Sequence, residues 1–110
     1  MSLYPFCLKG DEYMKLNHLN LCVDDLSEAR HFFETFFDFQ FLEQKGKALV
    51  VMSDESGFIL VLSDPKAFKG NKEVTYPEAF HIGFLVETTN EVDQAYNRLV
   101  AGGIEIDKEP

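Results

Sequence analysis

Basic residues are scarce. Ten Lys and Arg stand against 19 Asp and Glu, a formal charge of −9, and the sequence pI is about 4.6. A general nucleic-acid or anionic-membrane binder needs a basic footprint to attract phosphates, so this balance argues against both. Long hydrophobic runs are also missing. No apolar stretch approaches the roughly 20 residues that a spanning helix requires. The first 13 residues, MSLYPFCLKGDEY, hold no basic segment followed by a long apolar run. No signal peptide is expected there, and the cytoplasm is the default location. Cysteine is nearly absent: Cys7 and Cys22 form no C-x-x-C pair and are too few for a disulfide framework. Two inert thiols in a reducing compartment fit that count.

What is present is enough for one domain. The 110 residues are 45% hydrophobic and 26% charged, ordinary globular proportions that exclude wholesale disorder. Phenylalanine is abundant, at 11 residues, and each buried ring removes a large area from water, so a modest chain can still build a core. The pattern changes at Met14. Residues 1–13 are expected to be an N-terminal extension and 14–110 a single domain.

Leu16–Val23 (LNHLNLCV) alternates, with Leu19, Leu21 and Val23 on one side and His18, Asn20 and Cys22 on the other. Period 2 predicts a strand with two unlike faces. Asp25 and Glu28 are spaced as a capping box, and Ala29, Phe32, Phe33 and Phe36 then recur at i, i+3, i+4, i+7, the spacing of one helix face. The helix should stop near Asp38, because Asp tolerates a left-handed turn better than most residues. Three β-rich runs follow, Phe39–Glu43, Ala48–Ser53 and Phe58–Ser63, joined by the Gly-containing links Lys45–Lys47 and Asp54–Gly57. They read as a meander. Residues 64–78 are polar, carry two prolines and a glycine, and read as a linker.

The pattern then restarts. Ala79–Val86 (AFHIGFLV) is expected to be a strand. Thr88 and Glu91 form a second capping box. Val92, Ala95, Tyr96 and Leu99 give a helix face, Gly102-Gly103 a stop, and Ile104–Ile106 the start of another strand. A shift of 63 places His18 on His81, Leu19 on Ile82, Leu21 on Phe84, Val23 on Val86, Asp25 on Thr88 and Glu28 on Glu91. The chain therefore reads as an internal repeat: an α+β fold of paired βαβββ modules, with module 14–63, linker 64–78 and partial module 79–110. On ~5–6 residues per strand, completing the second copy would need roughly 20–30 more residues.

His18 and His81 occupy equivalent positions in the two copies. Each is flanked by apolar residues that should pack beneath the helices, which puts both imidazoles on the opposite sheet face. Two such sheets set edge to edge would curl into a cup-shaped half-barrel, with helices outside and His18, His81, Asn20 and Cys22 within. Polar groups on a concave apolar face should be paired, hydrated or bound. Imidazole is a common ligand of Zn²⁺, Ni²⁺, Fe²⁺ and Mn²⁺, and two of them at repeat-equivalent positions favour metal ligation over separate structural roles. Asn20 and Cys22 fit pocket lining without chemistry. His31, beside Arg30 and Glu34, should lie on the surface. Phe32, Phe33, Phe36 and Phe37 should be core, and Glu87, Glu91 and Asp93 a solvated helix start favoured by the helix dipole.

The stretch LNHLNLCVDDLSEARHFFETFFDFQF resembles the opening of the vicinal oxygen chelate superfamily, which includes glyoxalase I, extradiol dioxygenases and the fosfomycin and bleomycin resistance proteins. AFHIGFLVETTNEVDQAYNRLVAGGIEI resembles the opening of that superfamily's second module. The resemblance runs from Lys15 to Pro110 and implies a cup around a divalent metal, with His18 and His81 as ligands. It implies a third ligand, usually Glu, on the last strand of the second module, a strand this sequence does not contain. Glyoxalase I also has a Glu on the last strand of the first module; here that position falls near Val61. A His/His/Glu site of the thiol-transferase or dioxygenase kind is the closer match. Asp38 departs from the Gly that the family often has after its first helix.

Three functions follow from these readings. The first is a metal-dependent lyase, thiol transferase or dioxygenase acting on a small oxygen-rich molecule. The second is a non-catalytic drug-binding protein of the bleomycin-resistance type, whose cleft holds a cation that the −9 charge would attract. The third is a half-site scaffold completed by another subunit. A homodimer is expected from the resemblance, because in the family the two modules of one cup often come from different subunits.

Overall fold

The computed structural model describes residues 14–68, 75–107, 109 and 110. The expected extension at 1–13, with Cys7, lies outside them. The elements run β1 (His18–Cys22), α1 (Leu26–Phe37), β2 (Gln40–Lys45), β3 (Leu49–Ser53), β4 (Ile59–Ser63), a 3₁₀ turn (Pro65–Ala67) and α2 (Thr89–Ala101). The strands form one open sheet in the order β1-β4-β3-β2. β2, β3 and β4 make the antiparallel meander, while β1 returns parallel to β4 at its edge.

Local chemistry sets the boundaries of α1. Asp25 accepts a hydrogen bond from Glu28 N at 2.9 Å, satisfying an N-terminal donor that no helical carbonyl can reach. At the other end Asp38 adopts φ 56° and its N–H donates to Phe33 O, the left-handed stop expected of it. α2 repeats the arrangement. Thr88 Oγ1 accepts from Glu91 N at 3.2 Å, and Gly103, at φ 81°, turns the chain so that Ile104 N donates to Leu99 O at 2.9 Å. Glycine reaches that conformation without steric cost.

The register sorts the side chains by face. Leu19, Leu60, Met52 and Phe41 form one row across the sheet, and Leu21, Leu62, Val50 and Gln44 another. α1 covers these rows. Phe33, Phe39, Val50, Met52, Leu60 and Leu62 are buried as one core, with Leu19, Leu21, Val23 and Phe32 packed against it. Burying each such side chain contributes about 1.5–3 kcal/mol. The phenylalanines act together: Phe32 meets Phe33 edge-on at 5.3 Å and Phe33 meets Phe39 at 5.6 Å. Arg30 lies 3.8 Å above the Phe41 ring and pairs with Glu34 at 3.0 Å.

The second half departs from expectation. Residues 79–86 form no strand, nor do 104–106. An alternating sequence becomes a strand only when a neighbouring edge takes up its N–H and C=O groups, and no second sheet is present among the described residues. The apolar side chains of this segment are consequently exposed, Leu85 almost completely and Phe80, Ile82, Phe84 and Val86 by more than a third. The α+β class and the βαβββ order of the first module stand, and the described residues form one sheet of the expected cup.

Candidate functional site

The face of the sheet turned away from α1 carries three rows. His18, Ile59, Ser53 and Gln40 form the first, Asn20, Val61, Val51 and Glu43 the second, and Cys22, Ser63, Leu49 and Lys45 the third. The arrangement is an apolar floor of Ile59, Val61, Val51 and Leu49 with polar groups along the β1 edge. His18, Asn20 and Cys22 thus share a face, as the alternation required. Val61 shares it too, directly across from Asn20, so the first module presents an alkyl group where the resemblance would look for a glyoxalase I carboxylate.

His18 is exposed, and its Nδ1 lies 2.8 Å from Asn17 Oδ1. His81 is also exposed, on the segment before α2, and its Nδ1 lies 3.0 Å from Ala79 O. A carbonyl oxygen only accepts, so in each ring Nδ1 is the donor and Nε2 is the nitrogen left without a partner in these bonds. An imidazole can ligate a metal through either nitrogen; here Nε2 would be the ligating one, and a hydrogen bond from the other nitrogen to a carbonyl is the usual way to orient such a ring. The donor chemistry of both residues therefore fits a divalent ion. The third ligand has no counterpart here: among the described residues no three His, Cys, Asp or Glu side chains are gathered as a metal site.

Asn20 Oδ1 accepts from Ser63 Oγ at 2.7 Å, which fixes the amide over the floor and satisfies a buried hydroxyl. The Cys22 thiol is half-buried and free. Its backbone is engaged instead: Cys22 N donates to Tyr76 Oη at 2.8 Å, and Tyr76 Oη donates to Cys22 O at 2.8 Å. Burial pushes the Tyr76 phenol above its ordinary range, against the opposing hydrogen bond from the Cys22 amide, so the hydroxyl keeps the proton it donates. Sequence reasoning missed Ser63, Asn17 and Tyr76. Ser63 could have been found by extending the alternation into β4; nothing local marks Tyr76.

His31 is on the surface as expected, 3.4 Å from Thr35 Oγ1. It borders a cleft of about 540 Å³ on the helix side, with Asp24, Asp25, Glu28, Phe32 and Phe36. A second cleft of about 340 Å³ lies between Phe37, Phe84, Val86, Val92 and Arg98. Neither is lined by His18 or His81.

This is an α+β protein built on a βαβββ unit, whose polar strand edge borders an apolar sheet face. The family model described as the Glyoxalase/Bleomycin resistance protein/Dioxygenase superfamily matches residues 15–110, and the chain belongs to that superfamily. A solved structure described as a "possible Glyoxalase" from Bacillus cereus is 41% identical, covers 83% of this chain and 76% of its own, and superposes with a TM-score of 0.72. Lactoylglutathione lyase from Agrobacterium tumefaciens, at 23% identity, covers 86% and 74% with a TM-score of 0.66. A variant of the fosfomycin resistance protein FosX from Listeria monocytogenes, at 20% identity, covers 90% and 77% with a TM-score of 0.71; it was solved with Mn(II) and 1S,2S-dihydroxypropylphosphonic acid. These two share the fold. No curated protein matches the chain. Among the described residues no helix is long and apolar enough to cross a membrane.

Proposed function

We propose that this protein is a metal-dependent enzyme of its superfamily, acting on a small oxygen-rich substrate, with His18 and His81 as two ligands of one divalent ion. One observation carries the reading. Both imidazoles stand at repeat-equivalent positions, and each has Nδ1 committed to a carbonyl oxygen, Asn17 Oδ1 or Ala79 O, with Nε2 left to ligate. The Mn(II) and phosphonate bound by the FosX variant support the pairing of a metal with an oxygen-rich small molecule in this fold.

A bound divalent ion would supply open positions for two substrate oxygens and would neutralise charge developing on them. The protein's own part is positional. Asn17 and Ala79 aim the rings, Asn20 offers amide N–H groups beside His18, and the floor of Ile59, Val61 and Val51 excludes water from one side of the substrate. Residues 14–110 act as one cytoplasmic domain, Asn20 and Cys22 line the pocket, and two copies associate so that each cup is complete. Zn, Ni, Mn and Fe all suit imidazole ligation.

Metal analysis of purified protein, with calorimetric titration by Ni²⁺, Mn²⁺ and Zn²⁺, tests this. Stoichiometric binding that is lost in the His18→Ala/His81→Ala double variant is expected. Equal binding by wild type and double variant would remove the basis of the reading. The net charge of −9 favours one competitor, a sequestering protein for cationic drugs. Protein free of metal and thermally stabilised only by basic aromatic compounds would establish that instead.

A further inference from the structure

Among the described residues β1 is an edge strand. Asn17 O accepts from Ile59 N at 2.9 Å and Val23 N donates to Ser63 O at 2.8 Å, so in this parallel ladder the alternate residues His18, Asn20 and Cys22 turn their backbone groups outward. A single hydroxyl satisfies both outward groups of Cys22: Tyr76 Oη accepts from its N–H and donates to its C=O. The clasp spans 54 residues of sequence. From it, contacts run without a break to the second imidazole. The Tyr76 ring stacks on Phe80 at 4.5 Å with the planes 18° apart. Phe80 N donates to Pro77 O at 2.9 Å, closing a turn, and within that turn Ala79 O holds His81 Nδ1 at 3.0 Å.

We propose that Tyr76 is a positioning residue for the metal site: its hydroxyl anchors the segment carrying His81 to the edge of the strand carrying His18. The proposal rests on the two-histidine site proposed above. It assigns Tyr76 no contact with metal or substrate; the residue acts through the Pro77–Phe80 turn.

Tyr76→Phe tests it on the full chain, because the ring and its stack on Phe80 remain while both hydrogen bonds go. Ni²⁺ alone is the probe, read by calorimetry, with amide hydrogen exchange at Cys22 as the second readout. Exchange at Cys22 should accelerate and Ni²⁺ affinity should fall by roughly tenfold to a hundredfold, the usual effect of losing a residue that orients a ligand. In the His81→Ala background the same substitution should change the residual affinity no further, which a general loss of structure would not reproduce. If Tyr76→Phe fails to fold, Phe80→Leu, which keeps the hydroxyl and removes the stack, must weaken Ni²⁺ binding in the same direction. Wild-type affinity in a folded Tyr76→Phe protein, or an equal loss in the His81→Ala background, would overturn the positioning role and leave the site standing. A wild-type chain that binds no Ni²⁺ would remove the site itself, and this proposal with it.

Discussion

Phe37 and Phe84 stack face to face, with ring centroids 4.2 Å apart and planes 11° from parallel. Phe37 ends α1, and Phe84 belongs to the segment that forms no strand, so this stack joins the two halves of the described chain. Phe39 adds an edge-on contact to Phe84 at 6.2 Å. Phe84→Ala should lower stability by about 1–2 kcal/mol, from a lost aromatic pair and a partly buried ring. It should also speed hydrogen exchange within 79–86 more than within the sheet. Urea denaturation and residue-resolved exchange check both, and unchanged exchange in that segment would mean that other contacts hold it.

Helix packing supplies a second prediction. A Cβ built on Gly102 would collide with the far edge of the Phe36 ring and come within 3.3 Å of Arg98 O, so the end of α2 sits this close to α1 at a position without a side chain. Gly102→Ala should cost on the order of 1–3 kcal/mol through overpacking. Phe36→Leu in the same chain should recover part of it. Additive losses in the double variant would show that the two sites do not meet.

The hairpin between β3 and β4 should make the protein sensitive to acid. Burial alone would raise the Asp54 pKa, but the Ser56 hydroxyl and the amides of Phe58, Ser56 and Gly57 outweigh it and hold the carboxyl below 3.8. Asp54 Oδ1 accepts from Ser56 N at 2.9 Å, Ser56 Oγ at 2.8 Å and Phe58 N at 2.9 Å. A carboxyl depressed in the folded state stabilises it above the unfolded pKa, and that contribution disappears as pH falls through the folded value. Stability measured from pH 6 downward should therefore fall below about pH 4 in wild type, and less steeply in Asp54→Asn. Parallel curves would exclude Asp54 as a source of the acid dependence.

The first module was legible in the sequence because its signals are local. Alternation marked β1, the i, i+3, i+4, i+7 phenylalanines marked α1, Asp25 and Asp38 marked its ends, and the glycine links separated the meander strands. The second helix was legible for the same reason, through Thr88 and Gly102-Gly103. Ala79–Val86 carries an equally good strand pattern, yet pairing depends on a partner edge that no local pattern supplies. The expected equivalence of His18 and His81 came from the sequence repeat, whereas the carbonyl beside each Nδ1 came only from the structure. Tyr76 was invisible because its partner Cys22 lies 54 residues away in sequence and the polar stretch before it carries no periodicity.

If two imidazoles share one ion, ¹⁵N NMR of histidine-labelled protein during a Zn²⁺ titration will show it. Nε2 of His18 and of His81 should shift together and stop at one equivalent per site, while His31, on the outer face of α1, stays unmoved as the internal reference. Movement of only one of the two rings, or of all three in proportion to added Zn²⁺, would contradict it.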